Sequence, residues 1–135
     1  MYFEDKNFEK ITFGETPFVA GEYEYCRFEY CDFTQASLAN SKFIDCIFSH
    51  CNLSLVSLQG TAFRHVKFFD AKLLGLRFDQ CNTFGLSLYF ENCNLQHTSF
   101  YRLKLKKTIF KNCQLQETDY SECDLSQASF EGCLS

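Results

Sequence analysis

Large apolar residues recur at every fifth position of the chain. From Phe3 to Phe78 all sixteen positions spaced by five are Phe, Tyr or Leu, and a second frame from Phe90 to Phe130 holds nine more. We call each such position a centre. The residue two before a centre is usually small, and the other three positions are mainly polar. The chain therefore repeats one unit, small–polar–large–polar–polar.

A period of five fits neither regular element. Five residues turn a helix by about 140° away from its starting face. In a flat strand an odd period places successive large residues on opposite faces. Within each unit, however, the small and the large residue are two apart, which is the spacing of one strand face. The pattern therefore predicts short extended segments separated by corners, with the centres pointing to one axis and the coils stacked about 4.8 Å apart.

Several units read small residue, Asp or Asn, then a large apolar residue. The clearest are Cys31-Asp32-Phe33, Cys51-Asn52-Leu53, Cys93-Asn94-Leu95 and Cys123-Asp124-Leu125. This pattern resembles the pentapeptide-repeat family, whose unit is close to Ala-Asp/Asn-Leu-X-X. The resemblance implies an all-β protein, a right-handed quadrilateral β-helix with four units per coil. Residues 1–135 would then form a single solenoid of about six to seven coils, roughly 30 Å long.

One irregularity interrupts the register near residues 82–92. The first frame continues weakly through Thr83 and Leu88, and Leu88 then precedes Leu95 by seven residues instead of five. Two extra residues could form a bulge or corner loop at residues 89–92. Alternatively, Phe90 is a true centre and the insertion lies earlier, at residues 82–88. The sequence leaves both interpretations open.

The nine cysteines raise the question of metal or redox chemistry. Every one occupies the small slot, where Ala, Ser, Thr and Val also occur, and no CxxC or zinc-type spacing is present. We therefore predict buried packing residues, with Cys26 stacked on Cys46, Cys31 on Cys51, and Cys93, Cys113 and Cys133 in one column. The acidic opening segment is not a signal peptide, so a cytoplasmic location with reduced thiols is expected. Metal binding is a remote alternative.

No catalytic constellation or cofactor motif stands out. The three histidines, His50, His65 and His97, fall in outward slots, and the isolated glycines form no phosphate-binding loop. No segment approaches the roughly 20 apolar residues of a membrane span. The sequence therefore predicts a protein without enzymatic activity, cofactor or membrane association.

The net charge of −4 conceals three blocks. Residues 1–32 carry −5, residues 33–111 carry +6 and residues 112–135 carry −5. Large outward residues add a second signal, since Phe69 and Tyr89 lie in equivalent slots of the repeat and should stack, with Leu74 on the neighbouring side. The candidate partner surface combines outward apolar and basic residues: Phe69, Leu74, Phe84, Tyr89, Tyr101, Arg102, Lys104, Lys106 and Lys107.

The leading functional hypothesis is a non-enzymatic scaffold that binds other proteins through its sides. The resemblance implies an alternative, because family members of the quinolone-resistance (Qnr) type bind DNA gyrase and topoisomerase IV as mimics of duplex DNA. Residues 81–88 are similar to a stretch of those proteins, and residues 100–110 to the microcin-immunity type. The partner would then be a type II topoisomerase, with no direct nucleic-acid binding. Because the chain stops within a repeat, we also expect end-on self-association or a longer natural chain.

Overall fold

The computed structural model describes residues 1–135, with ten short strands, one 3₁₀ turn and no α-helix. The 3₁₀ turn spans Phe78–Gln80. In chain order the strands are β1 (Tyr2–Glu4), β2 (Asn7–Glu9), β3 (Glu22–Glu24), β4 (Arg27–Glu29), β5 (Lys42–Ile44), β6 (Ile47–Ser49), β7 (Ala62–Arg64), β8 (Val66–Phe69), β9 (Leu88–Glu91) and β10 (Ile109–Lys111).

The chain winds around four sides, and each strand pairs in parallel with a strand one full coil away. Side 1 is the sheet β1-β3-β5-β7, and side 2 is the sheet β2-β4-β6-β8-β9-β10. Sides 3 and 4 are joined by single parallel bridges, such as Asp32 to Asn52 and Ser37 to Ser57. The predicted right-handed quadrilateral β-helix is confirmed, with about six turns.

The centres of all four sides point into one continuous core. Side 2 shows this most regularly, because its centres are seven phenylalanines stacked face to face. Neighbouring ring centroids lie 4.8–5.3 Å apart, with interplanar angles of 14° or less. The seven rings are Phe8, Phe28, Phe48, Phe68, Phe90, Phe110 and Phe130. Each five-residue unit therefore forms one side of a coil and points one large side chain into the core.

Short polar side chains before the centres close turns on sides 3 and 4. The carboxylate of Asp32 accepts the backbone N–H of Thr34 at 2.9 Å, and the amide oxygen of Asn52 accepts that of Ser54 at 3.0 Å. Ser57 makes the equivalent contact with its hydroxyl, which accepts the N–H of Gln59 at 3.4 Å. Such local contacts hold the backbone in a tight turn, which explains the Asp, Asn and Ser of the repeat unit.

Most corners are turned by a residue in the left-handed conformation, two positions after a centre. Eighteen non-glycine residues and four glycines have positive φ, and the non-glycine values range from 51° to 64°. Asn, Asp and Gly tolerate this region best, and they fill many of these corners. Leu55 is one of twelve left-handed residues of other types; its φ is 62° and it is 77% exposed.

We expect Leu55→Asn to stabilise the protein by about 0.5–1 kcal/mol, since asparagine bears the left-handed conformation at lower cost and little burial is lost. The measurement is urea unfolding followed by circular dichroism. Gly60→Ala is the matched control, because Gly60 has φ +69° and an added Cβ would collide with the side-chain oxygen of Asn40. That variant should lose about 1–2 kcal/mol. A Leu55→Asn protein less stable than the wild type would contradict the corner argument.

The structure places the two-residue insertion between Asn82 and Leu88. Ala62 pairs with Asn82 at an offset of twenty residues, whereas Val66 pairs with Leu88 at an offset of twenty-two. Phe90 is a true centre, with its ring 5.3 Å from that of Phe68. Of the two positions left open by the sequence, the earlier one is therefore found, and residues 89–92 form a regular part of side 2.

All nine cysteines are free thiols in the inward small slot, seven of them buried and two half-buried. Their registers match the predicted stacks, because each coil lies directly over the previous one. The thiols are also hydrogen-bond donors: Cys46 Sγ donates to the carbonyl of Tyr23 at 3.3 Å and Cys51 Sγ to that of Phe28 at 3.2 Å. Thr61 fills the same slot, and its hydroxyl donates to the carbonyl of Leu38 at 2.7 Å. The slot therefore favours small side chains, several of which donate a hydrogen bond to a backbone carbonyl of the preceding coil.

Candidate protein-interaction surface

The insertion produces a loop, residues 83–87, that projects from side 1. Asn82 begins it, with its side-chain oxygen accepting the N–H of Phe84 at 2.9 Å. The loop rejoins the coil where the N–H of Ser87 donates to the carbonyl of Phe63 at 3.1 Å. Thr83 is exposed while Leu86 is half-buried against the core, so Leu86 packs where a centre would otherwise lie.

Phe84, in this loop, is the most exposed aromatic residue of the protein, at 73%. The guanidinium carbon of Arg64 lies 4.9 Å from the centroid of its ring, within the range of a cation–π interaction. Gly85 lies against the same arginine, since a Cβ built there would be 3.3 Å from Arg64 Cδ. Arg64 therefore supports Phe84 in an outward position. Sequence reasoning did not select Arg64, although it lies twenty residues before Phe84 in an outward slot.

A recess of about 380 Å³ lies beside the loop, between sides 4 and 1, and is lined by Thr83, Gly85, Leu86, Arg102 and Lys104. Arg102 is only partly neutralised, by Glu122 at 3.4 Å. The hydroxyl of Tyr101 donates to the same carboxylate at 2.9 Å. The recess thus combines an apolar wall with two cationic groups, a combination that suits a carboxylate or another anion.

The structure distributes the nine predicted surface residues over all four sides. Phe84, Lys104, Lys106 and Lys107 belong to side 1 and its corner, and Tyr101 and Arg102 lie on side 4 next to the recess. Leu74 lies on side 3, while Phe69 and Tyr89 lie on side 2. The structure therefore brings six of them together around the loop and leaves three elsewhere.

The prediction that Phe69 and Tyr89 occupy equivalent slots is wrong. Tyr89 pairs with Lys67, and Phe69 pairs with Glu91. The insertion lies between Phe69 and Tyr89, so the offset between paired residues here is twenty-two and not twenty. The two rings still touch diagonally, with centroids 5.6 Å apart and planes tilted by 46°. The aromatic contact therefore exists without the predicted register.

A second polar cluster lies at the edge between sides 2 and 3. The ring of His50 stacks on that of Tyr30 at 4.6 Å, and its Nδ1 lies 3.0 Å from the Ser49 hydroxyl. Its Nε2 lies 3.6 Å from the carboxylate of Asp70. The order Ser–His–Asp is that of a nucleophilic triad, yet the side chains of His50 and Asp70 are 44% and 43% exposed. Water reaches both side chains at this edge, so the arrangement is a solvent-exposed contact that lacks the burial of a preorganised catalytic centre.

The family follows from the repeat itself. A family model described as pentapeptide repeat region matches residues 21–89 and 87–135. The chain belongs to the pentapeptide-repeat family. The two matches meet at residues 87–89, where the loop rejoins the coil and the register changes. No curated protein matches the chain significantly.

The structure is similar in fold to a solved structure of QnrB1. A trypsin-treated variant of QnrB1, a plasmid-mediated fluoroquinolone resistance protein, is 19% identical and superposes with a TM-score of 0.58, covering 98% of this chain and 73% of the other. HetL, a pentapeptide-repeat protein involved in heterocyst differentiation regulation in the cyanobacterium Nostoc sp. strain PCC 7120, is 12% identical, with a TM-score of 0.39 and coverages of 98% and 88%. At 19% identity the likeness to QnrB1 is one of fold.

The charge of this pentapeptide-repeat protein changes sign along its length. Glu4, Glu22 and Glu24 project from side 1 in the first two coils, whereas Lys104 and Lys106 project from the same side in the sixth. No side carries an unbroken acidic stripe from one end to the other. No group of three or more His, Cys, Asp and Glu residues could hold a metal ion. The structure contains no helix that is long and apolar enough to cross a membrane.

Proposed function

We propose that the protein is a non-enzymatic scaffold that binds a protein partner through the loop region of its β-helix. The observation that carries this proposal is Phe84, an exposed aromatic ring held outward by Arg64 on an otherwise regular rod. Exposed aromatic and arginine side chains contribute strongly to protein interfaces. The docking surface comprises Phe84, Tyr101, Arg102, Lys104, Lys106 and Lys107.

The chemistry of this surface favours an acidic segment of the partner. The recess beside the loop contains the cations of Arg102 and Lys104 with the apolar side chain of Leu86. One segment of the partner would place a carboxylate in the recess, next to Arg102 and Lys104, and an apolar side chain against Phe84. Phe69, Tyr89 and Leu74 would contribute only to a partner that wraps around several sides.

A photo-crosslinking amino acid at position 84 tests the proposal. We expect it to capture a distinct partner in cells, and we expect Lys104→Glu combined with Lys106→Glu to abolish the capture. The control carries the crosslinker at position 55, which is equally exposed on side 3. Equal capture at both positions, or capture unchanged by the two charge reversals, would refute the loop as the docking surface.

A second candidate function is binding and protection of DNA gyrase or topoisomerase IV as a DNA mimic. It is supported by the fold shared with QnrB1 and by the carboxylates of the first two coils, on side 1 (Glu4, Glu22 and Glu24) and side 2 (Glu9 and Glu29). The basic middle of the rod weighs against it, because duplex DNA is negative throughout.

A gyrase supercoiling assay with and without a quinolone separates the two candidates. The mimic requires the purified protein to alter supercoiling or to restore it in the presence of the drug. Glu22→Gln with Glu24→Gln should weaken that effect, whereas Glu117→Gln on side 3 should not. An unchanged reaction at micromolar excess would eliminate the mimic and leave the scaffold.

A further inference from the structure

Side 1 has opposite charges at its two ends. Glu4, Glu22 and Glu24 point outward from the first two coils, with Asp5 at the adjacent corner; we call these four the acidic end. These carboxylates lie close enough to act on one neighbour, since the pKa of Tyr2 is raised first by desolvation and then by Glu24, Glu4, Glu22 and Asp5.

The basic end of side 1 comprises Arg64 in the fourth coil and Lys104, Lys106 and Lys107 in the sixth. Asp124 lies in the next coil beside Lys104 and offsets part of this charge. Its pKa is lowered first by hydrogen bonds from Ser126 and further by Lys106 and Lys104. The three lysines remain exposed and make no ion pair within 4 Å. They are available to carboxylates on another molecule.

We propose that side 1 binds a second copy of this chain, with the two rods antiparallel and related by a two-fold axis. A two-fold interface places the same surface on both partners, so a side with one acidic and one basic end complements itself. With the axis between the third and fourth coils, the first coil of one copy lies on the sixth coil of the other. Glu4 then faces Lys106, and Asp5 faces Lys107, each pair occurring twice. A parallel arrangement would instead bring acid onto acid.

The centre of side 1 supplies apolar area for the same interface. Ile44 is half-buried in the third coil and faces the fourth coil of the partner copy. Side 1 has three exposed aromatic residues, Tyr2 in the first coil, Tyr25 in the second and Phe84 in the fifth. Because the second coil of one copy faces the fifth coil of the other, Tyr25 comes to lie beside Phe84 of the second copy. Aromatic residues framed by complementary charges are typical of specific interfaces.

The size of side 1 sets the expected strength. Six coils span about 29 Å at about 4.8 Å per coil, and each strand is only about 10 Å long. The face is therefore about 300 Å² per copy, below the roughly 800 Å² per partner of a standard specific interface, so we expect a weak, transient dimer held largely by charge. Its affinity should fall as salt screens the exposed pairs. This association requires no other partner, but it uses Phe84, Lys104, Lys106 and Lys107 of the proposed docking surface, so a second copy and a protein partner would compete for side 1. Sedimentation of the purified chain tests the association in the absence of that partner.

Charge reversal tests the pairing in the full chain by sedimentation equilibrium at about 50 mM salt. Glu4→Lys and Lys106→Glu should each raise the dimer dissociation constant about tenfold or more, because each turns two attractive pairs into two repulsive ones. The double variant Glu4→Lys/Lys106→Glu should restore dimerisation, since the swapped charges again face each other. Raising the salt to about 0.5 M should dissociate the wild type.

Side 2 offers matched controls. Glu9 and Lys111 occupy the same positions within the first and sixth coils as Glu4 and Lys106 do on side 1. Glu9→Lys and Lys111→Glu should leave the dissociation constant unchanged, and circular dichroism should show all variants folded. A monomer at low salt up to about 0.5 mM, far above the micromolar scale of ordinary complexes, would overturn the proposal. So would a double variant as weak as the single ones. Association insensitive to both reversals would indicate end-on contact instead.

Discussion

Replacing Phe68 with alanine should lower the free energy of unfolding by about 3–5 kcal/mol, the range for removing a fully buried aromatic ring. Phe68 is the middle ring of the side 2 stack and is 0% exposed. Its centroid lies 5.1 Å from that of Phe48 and 5.3 Å from that of Phe90, and 5.8 Å from that of Phe63 on side 1. The variant would leave a cavity that neighbouring coils cannot close, because their backbones are fixed by the ladders on all four sides. Urea denaturation measures the loss.

Two controls separate the cavity from a general effect of losing phenylalanine. Phe68→Leu should cost about 1–2 kcal/mol, since leucine fills centres on sides 3 and 4 but leaves part of the ring volume empty. Phe84→Ala should change stability by less than about 0.5 kcal/mol, because Phe84 is exposed. If Phe68→Ala were no more damaging than Phe84→Ala, the stacked core would not be the main source of stability.

The thiols should react at least about a hundredfold more slowly in the native protein than in urea, as expected when reaction requires local opening. Burial raises the pKa of Cys46 and of Cys81 to about 12, so neither is a thiolate near neutral pH. Their raised pKa values favour the neutral thiol of the folded state, and that stabilisation is lost as the pH rises from about 9 to 12. A chromogenic disulfide reagent at pH 7.5 measures the rates.

Cys123 and Cys133 should react first, because they are only half-buried. Within the stacked pairs, hydrogen bonds lower the pKa of Cys31 beside Cys51 and of Cys113 beside Cys93. These two thiols are buried, so the reagent reaches them slowly in spite of the lowered pKa. Cys123→Ser with Cys133→Ser should remove the fast phase, and urea should release all remaining thiols. Rapid native reaction of more than two thiols would show that the columns open easily.

The repeat predicts the core of this molecule well because the core is periodic. Each centre is placed by its position in the unit, and Phe28, Phe48 and Leu53 all lie where the period puts them. The inward slot of the cysteines follows from the same argument, since a residue two before a centre shares its strand face. The handedness and the four-sided section came from the family resemblance.

The outer surface was harder to predict, because contacts between coils depend on an insertion that the sequence did not place uniquely. A shift of two residues moves Tyr89 from beside Phe69 to beside Lys67, whereas Phe84 keeps the twenty-residue register over Arg64. The contact between His50 and Asp70 crosses one coil and has no signature in the five-residue unit. Outward slots accept many residue types, so their sequence carries little information about contacts.

The loop also has a mechanical consequence. The continuous sheet of side 1 ends at β7, while the sheet of side 2 runs past the insertion from β8 to β9 without a break. Backbone pairing at the level of the loop is therefore interrupted on side 1 only. The resistance of the rod to bending at that level depends on the pairing along the other three sides. Bending at this level would change the spacing of the coils around Phe84 on side 1 while the phenylalanine rings of side 2 stayed stacked. A two-residue change in length thus gives a uniform repeat one level at which it is held on three sides instead of four.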